Sequence, residues 1–161
     1  MVTFRPALPD DADARAILLE YFAARAAGFP GHAYSPVFPA AAAFTPPEGV
    51  LLLAEDDGAV VGCGGIRRIS VTGSDGAESE AVRYEVKHVF LRPETRGRGW
   101  GRALLDELER RAVEWGAHDL VLDTHHTLEA AGNLYRRSGY VEIAPYNDNP
   151  NATRWYRKSL A

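Results

Sequence analysis

Between a run with strand-like alternation and a run with helical periodicity lies RPETRGRGWGRALL, residues 92–105, in which Gly97, Gly99 and Gly101 are interleaved with Arg96, Arg98 and Arg102. Glycines placed there leave backbone N–H groups uncovered, and the positive end of the following helix favours an anion beside them. With the arginine charges added, the stretch suits a phosphate or pyrophosphate, so the expected ligand is a phosphorylated cofactor. Two common phosphate loops fail on spacing. A P-loop needs Lys and then Ser or Thr after its last glycine, and a dinucleotide turn needs GxGxxG, whereas this chain has GxGxG followed by Arg102. A dinucleotide turn would also lie within its own βαβ unit, and this motif follows an antiparallel-looking hairpin. The competing reading is a glycine-rich turn that merely joins two elements.

Other reactive side chains are scattered. Asp123, His125 and His126 close the run DLVLDTHH, but neighbouring histidines on a continuing strand point apart and no zinc-type ligand set surrounds them, so no metal is expected. Cys63 sits in a glycine-rich strand without a histidine near it in sequence and reads as core rather than as a nucleophile. Glu20, Glu85, Asp123 and Asp148 could meet a cationic amine, and Arg67 or Arg83 could clamp a carboxylate, although each is more often just surface charge.

The elements that must position these groups follow from periodicity. A short strand over residues 2–5 precedes an acidic helix start at Asp10, Asp11 and Asp13. The helix runs to about Arg25, with Ala14, Ile17, Leu18, Tyr21 and Phe22 on one stripe and Gly28 as its stop. Pro30, Pro36, Pro39, Pro46 and Pro47 punctuate a long connection from Gly28 to Gly49, within which residues 37–44 could form a short helix. Residues 50–55 and 59–69 read as a β-hairpin, its second strand weakened by Gly62, Gly64 and Gly65, which suggest a bulge or a close backbone approach. After a polar loop at 70–80 come a strand at 81–91, an amphipathic helix from about Gly99 to Trp115, and a short strand at 119–124. A helix at 128–138 and strands at 140–144 and 153–158 complete the chain.

Composition bounds the function. With 161 residues, 46% hydrophobic and 25% charged, the chain reads as one globular domain rather than a disordered, collagen-like or coiled-coil protein. A net charge of −4 gives no basic footprint, so no nucleic acid is expected. The apolar runs VLLLA and AAAAF fall far short of the ~20 residues a spanning helix needs, so no membrane partner is expected either. One cysteine and an acidic rather than basic and apolar N-terminus point to a reducing, cytoplasmic location.

Residues 96–101, RGRGWG, resemble the R/Q-x-x-G-x-G/A signature of the GNAT superfamily of acyl-CoA-dependent N-acyltransferases. The similarity extends to VFLRP before it, the helix GRALLDELERRAVEWGA, the strand DLVLDT and the later NLYRRSGY, and the outer elements fit the same order. The resemblance covers nearly the whole chain. It implies a single domain over residues 1–161 with an α/β (α+β) fold, a mixed and mostly antiparallel central sheet flanked by helices on both faces. It also implies acetyl-CoA as cosubstrate, its pantetheine arm along Val89, Phe90 and Leu91 and its pyrophosphate on the amides of Arg96, Gly97, Arg98, Gly99, Trp100, Gly101 and Arg102. A phosphate at the start of the helix leaves a tail running back along that strand, where unpaired main-chain groups need partners.

Aminolysis of a thioester requires a neutral amine, so an alkylamine of pKa ~10 must lose a proton while the departing thiolate gains one. Tyr135, four residues before Gly139, resembles the family's general acid, and Glu85 resembles its general-base glutamate. Arg83 and Lys87 share the face of Glu85, so a plain charge pair competes with catalysis there, and Asp123, His125 and His126 are the reserve bases. The chain departs from the family pattern at Leu128, where many members carry an asparagine that contacts the cofactor. Asn133 lies on another helix face and does not replace it. The reading is an acetyltransferase acting on the primary amine of a small molecule or amino acid by direct attack. Protein N-terminal or lysine acetylation, and a non-catalytic acyl-CoA-binding module, are the alternatives. An exposed strand edge near the C-terminus is compatible with a homodimer.

Overall fold

The computed structural model describes residues 1–29, 31, 34 and 36–160. Among these residues seven strands form one sheet: β1 (Val2–Ala7), β2 (Gly49–Asp56), β3 (Ala59–Thr72), β4 (Glu78–Leu91), β5 (Asp119–Thr124), β6 (Val141–Ile143) and β7 (Arg154–Ser159). The helices are α1 (Ala12–Gly28), α2 (Trp100–Glu114) and α3 (Glu129–Arg137). The order across the sheet is β1-β2-β3-β4-β5-β7-β6, and the β4–β5 pair alone is parallel.

Strand β2 shows how the two cores arise. Successive side chains point to opposite faces, so Val50 and Leu52 join Leu104, Leu105 and Leu108 of α2 and Tyr135 of α3, while Leu51 and Leu53 join Ile17, Leu18 and Phe22 of α1. Because both faces are covered, the strand is a continuous apolar run rather than an alternating one. The expected mixed sheet with helices on both faces is what the chain forms.

Two expectations about the connections change. The loop expected at 70–80 shrinks to the turn between Thr72 and Glu78, because β3 and β4 continue their ladder out to the pair Thr72–Glu78. Ser70 Oγ donates to Glu78 Oε1 across it at 3.2 Å. Polar residues suffice there because residues 70–80 are exposed or only half-buried. The helix expected at 37–44 is a 3-10 turn at Ala41–Phe44 alone, since Pro39 supplies no N–H and holds the residue before it extended. The rest of the long connection lies partly outside the described residues. No described helix is long and apolar enough to cross a membrane.

Two features of β4 set up the site. Its pairing with β5 covers Arg83, Tyr84 and Glu85 against Asp119, Leu120 and Val121 and then stops, although β4 runs on to Leu91 and β5 stays paired with β7 to Thr124. The strands splay, and among the described residues no strand lies beside the β5-facing edge of β4 from Val86 to Leu91. The register against β3 also slips between Cys63 and Gly65, which face Phe90 and Lys87. This bulge leaves His88 at φ 59°, a left-handed conformation that histidine enters more readily than most residues.

Candidate active site

The splay opens into a cleft of about 1370 Å³ that runs from the start of α2, past Tyr135, to the C-terminal end of α1. At the α2 end the wall is main chain. Arg96 N donates to Pro93 O at 3.2 Å, and the next bonded amide is Ala103 N, to Gly99 O at 3.1 Å. Among the described residues the amides of residues 97–102 have no backbone acceptor. Gly97 (φ 81°) and Gly99 (φ 79°) produce this opening by adopting left-handed conformations that are strained for residues with a Cβ. Val89, Phe90, Leu91, Arg96, Gly97, Gly99, Trp100, Gly101 and Arg102 all line the cleft. The Arg98 guanidinium instead lies 5.1 Å over the Trp100 ring. Arg102 is held by Asp106 at 3.2 Å and by the carbonyl of Arg137 at 3.3 Å.

Open amides at the positive end of a 15-residue helix fit a pyrophosphate, and the unpartnered edge of β4 fits an amide-bearing arm. Ser138 Oγ, buried in the cleft wall without a hydrogen-bond partner among the described residues, is a further polar group available to a ligand. Leu128 lines the cleft as an apolar surface. Asn133 lies outside the cleft lining, and its Oδ1 accepts from Arg136 at 2.6 Å, so it does not take the role of the missing asparagine.

Tyr135 stands between the two ends. Its neighbour Leu134 packs so closely on Gly101 that an added Cβ there would lie 3.0 Å from Leu134 Cδ2, and Tyr135 itself feels the charges of Arg25 and Asp123 from the other side. Only 7% of the residue is exposed, and burial pushes its phenol well above the ordinary value, so it stays protonated. No protein acceptor among the described residues takes its proton.

At the far end the wall is side chains. Glu85 is 1% exposed and lies behind the lining residues. Its Oε1 accepts from Arg67, the cross-strand partner on β3, at 3.0 and 2.9 Å, and its Oε2 accepts from Tyr146 at 2.5 Å and Asn147 at 3.5 Å. Burial, then the charge and hydrogen bond of Glu85, push the Tyr146 phenol far up, so it donates throughout. Arg83, expected beside Glu85, instead makes a two-pronged pair with Asp119 at 2.8 and 2.9 Å. Asp123 does line the cleft. Its Oδ2 accepts from Asn147 at 2.7 Å, and Lys87 Nζ lies 3.7 Å from Asp123 and 3.9 Å from Glu85. Asn147 thus bridges both carboxylates, and its own carbonyl takes the Trp155 indole proton at 2.8 Å.

His88 presents its ring to the same end among Tyr21, Phe22 and Phe44, and burial lowers its pKa to about 3, keeping it neutral. Glu20 pairs with Arg92 away from the cleft, and Asp148 is exposed outside it. His125 and His126 do not point apart: their rings stack at 4.5 Å, because β5 ends at Thr124 and the chain turns before strand alternation could separate them. Among the described residues no group of three or more His, Cys, Asp or Glu side chains could hold a metal. Cys63 is fully buried against α1 and its Sγ donates to the His88 carbonyl at 3.2 Å.

The model of the acetyltransferase (GNAT) family matches residues 14–140. The chain belongs to this family. An uncharacterized N-acetyltransferase of Schizosaccharomyces pombe is 32% identical over 108 residues, 66% of this chain and 61% of the relative. An IAA acetyltransferase of Azospirillum brasilense is 35% identical over 95 residues, 59% of this chain and 56% of the relative. The chain therefore spans less than two thirds of the length of these curated relatives. The crystal structure of an acyl-CoA N-acyltransferase from Klebsiella pneumoniae superposes over 100% of this chain and 99% of its own, at 28% identity and a TM-score of 0.72. This member of the family has both an amide cradle and an open strand edge on one cleft.

Proposed function

We propose that this protein transfers an acetyl group from acetyl-CoA to the primary amine of a small molecule, by direct attack of the amine. The observation that carries the reading is the continuity of one cleft from the open amides of residues 97–102, past the protonated Tyr135, to an acceptor end holding a carboxylate. When bound, acetyl-CoA supplies a thioester whose acyl carbon accepts the amine. The amides and the β4 edge orient that thioester, and Tyr135 donates its proton to the departing sulfur. Asp123 takes the proton the amine must lose, with Glu85 behind it fixing Arg67, Tyr146 and Asn147 and sharing Lys87. Direct transfer is supported by Cys63, which lies outside the cleft with its thiol pushed up by burial and unavailable as a nucleophile. A small acceptor is favoured because α1, Phe38 and Phe44 and the 145–152 loop all wall that end. The free Cys63 supports a reducing, cytoplasmic setting.

Titration calorimetry with acetyl-CoA, followed by thiol release with a panel of small amines, tests the proposal. Binding in the micromolar range and turnover of a small amine are expected. Absence of acetyl-CoA binding would overturn it, and turnover of peptides alone would overturn the small-molecule acceptor.

A further inference from the structure

The charges at the acceptor end do not balance. Arg67 is engaged by Glu85, and Lys87 lies between Glu85 and Asp123, so two cations stand against two carboxylates. Arg25, in the last turn of α1, is the surplus. It also lines the cleft, yet among the described residues its contacts are with neutral groups: the Tyr21 hydroxyl at 3.4 Å, the Asn151 carbonyl at 3.5 Å and the face of Tyr34 at 5.1 Å. These hydrogen bonds are at the long limit, and among the described residues no carboxylate pairs with it. A helix C-terminus favours a basic residue, which accounts for an arginine in this turn but not for its facing the cleft. Nor does Arg25 belong to the phosphate end, because its field is felt by His88, Tyr34 and Tyr135.

A lone guanidinium beside the place where an amine must sit disfavours a second ammonium group and favours an anion. The cleft that Arg25 and Tyr135 share also has an aromatic wall: Phe22 packs on Phe38 at 6.1 Å and on His88 at 5.6 Å, and His88 packs on Phe44 at 5.9 Å. Resting on the acetyltransferase reading above, we infer that the acceptor is an amino acid with an apolar or aromatic body, its carboxylate anchored by Arg25 and its amino group delivered toward Asp123 and Tyr135. The guanidinium supplies the paired donors that a carboxylate accepts, and the rings cover the body.

The test compares matched amines with and without the carboxylate, phenylalanine against 2-phenylethylamine and leucine against 3-methylbutylamine, each rate expressed per neutral amine. In the unaltered protein kcat/KM should favour the amino acid by about tenfold or more in at least one pair, through KM. In Arg25→Gln that preference should collapse by a rise in KM at little cost in kcat, and Arg25→Lys should restore part of it. Equal kcat/KM for the members of each pair, a preference surviving in Arg25→Gln, or turnover of none of the four despite acetyl-CoA binding would overturn the inference. Loss of acetyl-CoA binding in the unaltered protein would instead overturn the acetyltransferase reading beneath it.

Discussion

At the end of the cleft proposed to take the phosphates the surface is main chain, the open amides of residues 97–102 and the unpartnered edge of β4. At the acceptor end it is side chains, gathered from α1, β3, β4, β5 and the 145–152 loop and tied together through Glu85, Asp123 and Asn147. A main-chain site is made by backbone conformation, so it tolerates change in most side chains around it and fails when a glycine is lost. A side-chain site is made by register and packing, and each member can be replaced singly. One ligand common to a family suits the first kind of construction, and one that varies from member to member suits the second.

Replacing single groups should separate the two ends. Asp123→Asn should cost the most, lowering kcat by about a hundredfold or more as expected for loss of a general base, with acetyl-CoA affinity unchanged. Glu85→Gln should lower kcat less, since Glu85 acts through its neighbours. Steady-state kinetics with calorimetry on both variants checks the order, and a larger effect at Glu85 would make it the base. Gly99→Val should do the reverse, raising the Kd for acetyl-CoA about tenfold to a hundredfold, because a β-branched residue at φ 79° carries roughly 1–3 kcal/mol of strain and would close the amide cradle. Circular dichroism should show the fold retained. Arg96→Gln, a charge removed beside an intact cradle, should raise that Kd by only about fivefold, within the range of about 1 kcal/mol for a screened contact.

The smallest effect concerns His88. Burial lowers its pKa to about 3, with Lys87, Arg67 and Arg25 pushing the same way and Asp123 opposing. Unfolded, it titrates near ~6.5. Between those values the unfolded chain binds the extra proton, so the stability from a neutral His88 is complete above ~6.5 and is lost as pH falls toward 3. His88→Asn, which tolerates the left-handed backbone, should flatten the pH dependence of urea-unfolding stability in that window by at most about 1.4 kcal/mol per pH unit. An unchanged slope would mean that the ring titrates normally in the folded protein.

The same contrast governs what the sequence reveals. Glycines at 97 and 99 ahead of a helical run are legible because few other residues adopt their left-handed conformations, and the hairpin, α2 and β5 are legible from apolar periodicity. The bulge at His88 has no glycine to mark it and comes from a register slip against β3. That Arg67, rather than Arg83, engages Glu85 depends on the same register, and Tyr146 and Asn147 reach it from some 60 positions away. The stacking of His125 on His126 follows from where β5 ends, a boundary that alternation alone does not locate. Arg25 reads as an ordinary basic residue at a helix end until its inward side and its neutral neighbours are seen.

The claim that binding resides in the main chain and chemistry in side chains is tested most directly by Tyr135→Phe, with acetyl-CoA affinity and single-turnover thiol release measured on the same sample. Removing one oxygen from the wall between the two ends should leave the Kd within about twofold while slowing release by about a hundredfold, as for loss of a general acid. Unchanged release, or a Kd that rises in step with the lost rate, would contradict it.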